Sequence, residues 1–167
     1  PADRVNGVIE ECGRKGVRGI VVISAGFGEM GVEGVDLQEQ LVQTASSYGM
    51  RVIGPNCMGV LNTNPGISLN ATFSPAFPPA GRIAFCTQSG ALGLAILEYA
   101  RSLNIGLSTF VSIGNRADVS NNDLMRYWEE DPATDLILLY VESFGEGAVF
   151  SRIARRVTSR KPIVVVK

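Results

Sequence analysis

The turn between residues 87 and 91 carries the residue pattern best suited to binding an anion. Thr87-Gln88-Ser89-Gly90-Ala91 follows a β-rich run and leads directly into an apolar helical segment. The first N–H groups of a helix lack partners within the helix, and together with the helix dipole they form an anion site. Ser89 would add a hydroxyl donor. We therefore predict that this turn holds a phosphate-bearing group; the alternative is a serine N-cap followed by a glycine that permits close helix–sheet packing.

Two later loops place polar side chains where they would meet the same crevice. Glu142-Ser143-Phe144-Gly145 follows one β-rich run, and Gly114-Asn115-Arg116-Ala117-Asp118 follows another. Ligands of parallel sheets bind beyond the carboxyl ends of the strands, so Glu142 could accept a hydrogen bond from a protonated partner or orient that partner. The second loop could supply amide and guanidinium donors. A solvated glutamate and a simple turn are the alternatives.

The first third of the chain offers two glycine-containing loops. Ser24-Ala25-Gly26-Phe27-Gly28-Glu29 would let a ligand lie against bare backbone, or is simply a flexible loop. Gly54-Pro55-Asn56-Cys57-Met58-Gly59 directs Asn56 and Cys57 towards the crevice. Cys57 could be a nucleophile, but the chain contains no histidine that could activate it. We therefore interpret Cys57 as a small, mildly polar wall residue.

Composition excludes several classes of protein. The net charge is -1, with 15 basic and 16 acidic residues spread along the chain, so neither nucleic acid nor a membrane surface is expected as a partner. The three cysteines have no CxxC spacing, which predicts no disulfide framework, no metal site and a reducing, cytoplasmic setting. Cys12 and Cys86 are expected in the core. The first residue is proline and the last residues read as a strand, so we expect a fragment of a longer protein.

The elements that would position these loops form two blocks. In the first block, a helical stripe begins near Val5 and stops at Gly13 or Gly16, and a buried strand is predicted over 19–24. A second helix would begin at Asp36 as its N-cap and end at Gly49, before a short strand over 51–53. Residues 56–80 contain four of the eight prolines and no sustained period, which indicates an irregular connection over the surface.

The second block alternates strands and helices. Strands are predicted over 82–86, 107–112, 135–141 and 162–166. The helix over 90–103 is apolar around most of its circumference and should be deeply packed. Ser120 and Asp123 resemble a capping box for a helix that buries Leu124, Tyr127 and Trp128, and a third helix follows at 149–157. Repeated strand–helix–strand units predict an α/β fold with parallel sheets.

Taken together, the sequence resembles the NDP-forming acyl-CoA synthetases, which are relatives of the succinyl-CoA synthetase alpha subunit. Each motif is weak alone, but seven in the right order over nearly the whole chain are specific. The motifs are Ile23-Ser-Ala-Gly-Phe27, Arg51-Val-Ile-Gly-Pro-Asn-Cys-Met-Gly59, Leu69-Asn-Ala-Thr-Phe-Ser74, Gly81-Arg-Ile-Ala-Phe-Cys-Thr-Gln-Ser-Gly-Ala91, Ser112-Ile-Gly-Asn115 with Asp118, Leu139-Tyr-Val-Glu-Ser143 and Lys161-Pro-Ile-Val-Val-Val-Lys167.

The resemblance implies that the chain contains parts of two domains. Residues 1–60 would be the C-terminal part of a Rossmann-like CoA-binding domain, 61–80 a connecting segment, and 81–167 a flavodoxin-like succinyl-CoA ligase domain truncated at its C-terminus. It further implies three sets of site residues. CoA would contact Ile23, Ser24, Ala25, Gly54, Pro55, Asn56 and Cys57; phosphate would contact Gln88, Ser89 and Gly90; and Glu142 would be the catalytic carboxylate that steadies a phosphohistidine.

The same resemblance implies ligands and partners. CoA and acyl phosphate or phosphate would bind here, while ADP or ATP with Mg would bind a separate ATP-grasp domain or beta subunit, in an oligomer. Since the chain has no histidine, the phosphohistidine would lie past Lys167, and the first glycine-rich CoA loop before Pro1. Similar domains form a noncatalytic acyl-CoA-sensing module of GNAT-type protein lysine acetyltransferases, which is the alternative function. An NAD- or flavin-dependent oxidoreductase also fits the fold but would need a GxGxxG motif after a strand.

Overall fold

The computed structural model describes residues 1–167, and its strands form two separate sheets. The first sheet contains only β1 (Gly19–Val21) and β2 (Arg51–Ile53), which pair in parallel with Gly19 opposite Arg51. Helices α1 (Ala2–Arg14) and α2 (Val32–Ser47) pack on it. The N–H of Val22 donates to the carbonyl of Ile53 at 2.9 Å and extends the pairing by one residue. The strand predicted over 19–24 is nevertheless shorter than expected, since β1 ends at Val21.

The start of α2 differs from the prediction. The helix begins at Val32 after Gly31, and Asp36 lies inside it instead of capping it. Gly31 has a φ of 94°, which glycine adopts without strain. The predicted end is confirmed, because Gly49 follows the helix with a φ of 69°.

The second sheet has six strands in the order β4-β3-β6-β5-β7-β8. The four strands β5 to β8 run in parallel, which confirms the predicted α/β class, while β3 and β4 are antiparallel to their neighbours. The bounds are β3 (Gly59–Asn62), β4 (Leu69–Thr72), β5 (Ala80–Thr87), β6 (Leu107–Ser112), β7 (Leu136–Tyr140) and β8 (Ile163–Val166).

The expectation of an irregular stretch over 56–80 is therefore wrong. β3 and β4 form a hairpin that joins the second sheet through β6. Gly59 allows the two strands to approach, since a Cβ there would lie 2.1 Å from the carbonyl oxygen of Ala71. Leu61 faces the core and is completely buried. How the chain divides into domains stays a prediction.

Three helices cover the two faces of the second sheet. They are α3 (Gly90–Ser102), α4 (Asn121–Glu130) and α5 (Gly147–Val157). The capping box of Ser120 and Asp123 is confirmed, and Trp128 is fully buried with its indole N–H donating to Thr109 Oγ1 at 2.7 Å. Tyr127, predicted to be buried, is 57% exposed. None of the helices combines the length and apolar character that crossing a bilayer requires.

Helix α3 is less buried than its sequence predicts. Its buried residues are Gly93, Leu97 and Ala100, which lie on the side facing the sheet. Leu94 and Tyr99 lie on the outer side and are exposed. A single helix on this part of the sheet buries one stripe only, so the apolar residues on the outer side of α3 stay exposed.

The loop between β6 and α4 joins the two sheets. The N–H groups of Asn115, Ala117 and Val119 donate to the carbonyls of Pro55, Gly54 and Val52 at 2.9, 3.1 and 3.1 Å. These bonds add a strand-like edge to β2. The expected simple turn over 114–118 is thus a connection that fixes how the first sheet sits against the second.

Candidate functional site

A cleft of about 460 Å³ lies at the carboxyl ends of the strands, between the two sheets. Five of the predicted site residues line it: Ile23, Asn56 and Cys57 from the first half, and Gln88 and Gly90 from the second. The remaining lining residues are Phe73, Ala91 and Leu94. The structure therefore brings three of the seven residues predicted for CoA together with two of the three predicted for phosphate.

The start of α3 shows the serine N-cap and leaves two backbone donors unpaired. Ser89 is the N-cap, and its Oγ accepts a hydrogen bond from the N–H of Leu92 at 3.4 Å. Thr87 Oγ1 accepts from the N–H of Ser89 at 3.0 Å and donates to its carbonyl at 2.9 Å. No acceptor within the chain meets the N–H groups of Gly90 and Ala91, which remain free to bind an anion.

The glycine that permits close helix–sheet packing is Gly93 and not Gly90. A Cβ at position 93 would lie 2.8 Å from the ring of Phe110, whereas a Cβ at position 90 would meet its nearest neighbour at 4.0 Å. Space therefore remains in front of Gly90, on the side of the cleft.

Gln88 uses its side chain within the protein. Its Oε1 accepts from the N–H groups of Glu142 and Ser143 at 2.8 and 3.0 Å, and its Nε2 donates to the carbonyl of Ser143 at 2.8 Å. The backbone of Glu142 is thereby held against the turn that begins α3. The Glu142 carboxylate itself is exposed and makes no hydrogen bond or ion pair within the chain.

The residues predicted for CoA fall into two groups. Ile23 is 44% exposed and lines the cleft with Asn56 and Cys57, whereas Ala25 is exposed but does not line it. Ser24 contributes its carbonyl, which accepts from the N–H of Asn56 at 2.9 Å. This bond ties the two loops together.

Gly54 and Pro55 are buried and shape the second loop. Gly54 has a φ of 101°, and a Cβ there would lie 2.3 Å from the carbonyl oxygen of Val22. The peptide bond between Gly54 and Pro55 is cis. Both residues therefore set the path of the backbone behind the cleft, and neither lines it.

The environment of Cys57 supports the interpretation of a wall residue. Its thiol is nearly inaccessible and donates to the carbonyl of Val22 at 3.3 Å. Burial raises the pKa of Cys57 to about 11, because the thiolate would lose its hydration. At neutral pH the group is a protonated thiol, which is a poor nucleophile.

Sequence reasoning missed the apolar side of the cleft. Phe73 is 57% exposed and Leu94 is 38% exposed, and both line the cleft opposite the polar loops. Phe73 lies in the motif Leu69-Asn-Ala-Thr-Phe-Ser74, which carries part of the family resemblance but contains no predicted site residue. Its position on the turn after β4 depends on the hairpin that the sequence did not reveal.

Comparisons with known proteins match both halves of the chain. Residues 80–167 match the family model of the succinyl-CoA ligase like flavodoxin domain, and residues 1–63 match that of a CoA binding domain. Acetate–CoA ligase [ADP-forming] I of Archaeoglobus fulgidus is 49% identical over the whole chain, which covers 24% of that protein. Acetate–CoA ligase [ADP-forming] I subunit alpha of Pyrococcus furiosus is 46% identical over the whole chain, which covers 36% of that subunit.

A solved structure shows the same arrangement. The dinucleotide forming acetyl-coenzyme A synthetase 1 of Ca. Korarchaeum cryptofilum, in complex with phosphate and ADP, superimposes with a TM-score of 0.92 at 47% identity. All of this chain matches, and it covers 36% of that chain. The chain thus spans between a quarter and somewhat over a third of the length of these relatives.

Proposed function

Because this chain belongs to the family of NDP-forming acyl-CoA synthetases related to succinyl-CoA ligase, we propose that it supplies the CoA-binding and phosphate-binding parts of such an enzyme. The complete protein would convert acyl-CoA, NDP and phosphate into acid, CoA and NTP. The cleft carries this proposal, since it joins the loops after β1 and β2 to the free N–H groups of Gly90 and Ala91.

The first step would take place at the border of the two sheets. The loops at 23–25 and 54–57 hold CoA, with its thioester near Cys57. Phosphate attacks the acyl carbon, the carbon–sulfur bond breaks, and CoA leaves as the thiolate. The N–H groups of Gly90 and Ala91, with Ser89, stabilise the charge on the phosphoryl oxygens of the acyl phosphate.

The second step needs a group from outside these residues, since the chain contains no histidine. A histidine nitrogen attacks phosphorus, the bond from phosphorus to the carboxylate oxygen breaks, and the acid leaves. Glu142 accepts a hydrogen bond from the other ring nitrogen and stabilises the imidazole as it gains positive character. The phosphohistidine then transfers its phosphoryl group to NDP and is regenerated as free histidine.

Nucleotide and partner follow from this scheme. We propose that ADP or ATP with Mg binds a separate ATP-grasp domain or beta subunit, and that the assembly is oligomeric; the subunit name of the Pyrococcus furiosus relative supports a second subunit. The three cysteines are free thiols, which a reducing compartment maintains, and we propose a cytoplasmic location.

The test uses the complete protein and measures ATP formation from ADP, phosphate and a panel of acyl-CoA thioesters. ATP formation that requires all three substrates is the expected result. The alternative, an acyl-CoA-sensing module of a lysine acetyltransferase, predicts no ATP formation and an acetyltransferase activity that responds to acyl-CoA. The relatives described above carry ligase or synthetase names, which supports the enzyme.

The role of Glu142 has its own test. Glu142→Gln replaces the carboxylate by a neutral amide that cannot stabilise a cationic imidazole, so phosphoenzyme formation should slow by about 100-fold. The dissociation constant of CoA should change less than about twofold. Glu146→Gln, which removes an exposed carboxylate from the same loop, is the matched control. Loss of CoA binding in Glu142→Gln would show that the proposed assignment of Glu142 to the phosphoryl-transfer site is wrong.

A further inference from the structure

We infer that Gln88 and Arg116 are positioning residues that fix the segment Glu142–Ser143 and, through it, the carboxylate of Glu142. This inference rests on the proposed role of Glu142 in phosphoryl transfer. It also assigns the side chain of Gln88 a task different from the direct phosphate contact that the sequence predicts.

The segment has few other means of support. Residues 142–146 lie outside the helices and strands, and the carboxylate of Glu142 has no partner in the chain. The nearest fixed points are Val141, which is fully buried and whose N–H donates to the carbonyl of Val166 at 2.9 Å, and the packing of Phe144 on Phe150, whose ring centroids are 4.5 Å apart. Between these points, the side chains that hold the backbone are those of Gln88 and Arg116.

Gln88 acts on the segment as a neighbouring strand would. One side-chain amide satisfies three backbone groups: the N–H groups of Glu142 and Ser143 at 2.8 and 3.0 Å, and the carbonyl of Ser143 at 2.8 Å. Its own backbone N–H donates to the carbonyl of Tyr140 at 3.2 Å. Because Gln88 immediately precedes the N-cap of α3, this amide couples the position of Glu142 to the proposed phosphate site.

Arg116 holds the segment from the other side. Its Nη1 donates to the carbonyl of Ser143 at 2.6 Å, and its Nη2 donates to Ser143 Oγ at 3.2 Å. Gly145 makes room for the guanidinium, since a Cβ there would lie 3.3 Å from Nη1 and the φ of 68° disfavours any side chain. Arg116 lies on the loop that joins the two sheets, so this contact links the segment to the border of the CoA loops.

The experiment measures phosphoenzyme formation in the complete protein carrying Gln88→Ala, Arg116→Ala or Arg116→Lys. A misplaced catalytic group costs about 10- to 100-fold in rate, and we expect losses in this range for the two alanine variants. The KM for phosphate and the dissociation constant of CoA should stay within about twofold. Arg116→Lys retains one charged donor and should recover part of the rate.

A double-variant cycle separates positioning from direct contact. If Gln88 acts through Glu142, adding Gln88→Ala to Glu142→Gln should change the rate less than about twofold further. An undiminished loss in that background, or a raised KM for phosphate at unchanged kcat, would overturn the inference. Arg101→Ala, which removes an exposed arginine from α3, is the control for general effects on the helix.

Hydrogen exchange of the peptide containing residues 141–146 gives a readout that does not depend on catalysis. Exchange at the N–H groups of Glu142 and Ser143 should accelerate in Gln88→Ala, and unchanged exchange would refute the positioning. If Glu142→Gln leaves the rate of phosphoenzyme formation unchanged while hydrogen exchange accelerates in Gln88→Ala, the proposed function of Glu142 is refuted. The positioning of the segment by Gln88 would still be supported.

Discussion

Replacing Gly114 by alanine tests the contact that joins the two halves of the cleft. Gly114 follows β6 with a φ of 50°, and a Cβ there would lie 2.3 Å from the carbonyl oxygens of both Pro55 and Asn56. The left-handed conformation costs an alanine about 1–2 kcal/mol. Overlap with backbone atoms cannot be relieved by a change of rotamer, and overpacking adds about 1–3 kcal/mol. From the two effects together we expect the free energy of unfolding to fall by about 2–5 kcal/mol.

The loss should extend to ligand binding. Relief of the overlap requires the loop at 54–56 to move away from Gly114, which weakens the bond from the N–H of Asn115 to the carbonyl of Pro55. Asn56 and Cys57 would move with this loop, and both line the cleft. CoA should therefore bind Gly114→Ala at least about fivefold more weakly, an effect of about 1 kcal/mol.

Gly49→Ala is the matched control. Gly49 also has a positive φ, of 69°, but a Cβ there would have no neighbour within 4 Å. It carries the backbone cost alone, about 1–2 kcal/mol, and lies outside the cleft. Thermal unfolding of the complete protein and calorimetric titration with CoA should rank Gly114→Ala below Gly49→Ala in both Tm and affinity. Equal values for the two variants would show that the loops do not meet as described.

Three further predictions concern the anion site, the buried thiol and an ion pair whose carboxylate is buried. Ser89→Asp places a carboxylate at the start of α3 and should abolish phosphoenzyme formation in the complete protein; unchanged formation would refute the phosphate site. Because the pKa of Cys57 is raised from 9.0 to about 11, its alkylation by iodoacetamide at pH 8 should be about 100-fold slower than that of an ordinary thiol. The rate should rise about tenfold per pH unit towards pH 11, and a plateau below pH 9 would contradict the burial of the thiol. Arg156→Ala leaves the buried carboxylate of Glu129 without its partner and should lower the free energy of unfolding by about 2–3 kcal/mol. Arg160→Ala, which breaks an exposed pair, should change the melting temperature little, and equal effects would contradict this assignment.

The parallel part of the fold could be predicted because each element has a strong local signal. The strand Leu107–Ser112 is buried at every position, and the β-favouring residues Thr109, Phe110 and Val111 at its centre predict it. The helix opened by Ser120 was predicted from its capping box. By contrast, α2 begins after Gly31 without a side-chain cap, so the sequence shows no capping residue at the true start, and Asp36 wrongly predicts a start inside the helix.

The hairpin of β3 and β4 could not be predicted for a physical reason. Each strand has only four residues, and β4 lies at the edge of the sheet, where half-exposed positions blur the alternation. The four prolines between residues 56 and 80 flank these strands and do not interrupt them. The depth of α3 was misjudged for a related reason, because apolar composition does not reveal whether a second layer covers the helix.

For the candidate site, the sequence predicts which loops meet but not which side-chain donors stay available to a ligand. Loops after neighbouring parallel strands converge, so the meeting of Ile23 and Asn56 follows from the pairing of β1 with β2. Gly90 follows a strand of the other sheet, and it reaches the same cleft because the loop between β6 and α4 ties the two sheets together. Which donors remain available there depends on pairing in three dimensions. The sequence predicts a phosphate contact for Gln88, and for the loop of Arg116 either guanidinium donors or a simple turn. In the structure both side chains donate to the carbonyl of Ser143.

The remaining donors decide how an anion would be held. With the amide of Gln88 and two N–H groups of the Arg116 guanidinium engaged, the start of α3 keeps as donors the backbone N–H groups of Gly90 and Ala91 and the hydroxyl of Ser89. Backbone donors are fixed by the helix, do not titrate and act together with its dipole. A phosphoryl group held in this way would be oriented without a cationic side chain to neutralise it, which leaves it sufficiently weakly bound to be passed on to the next acceptor. Substitution at Gln88 should therefore alter the rate of transfer and hardly alter phosphate affinity, the opposite of what a direct ligand would show.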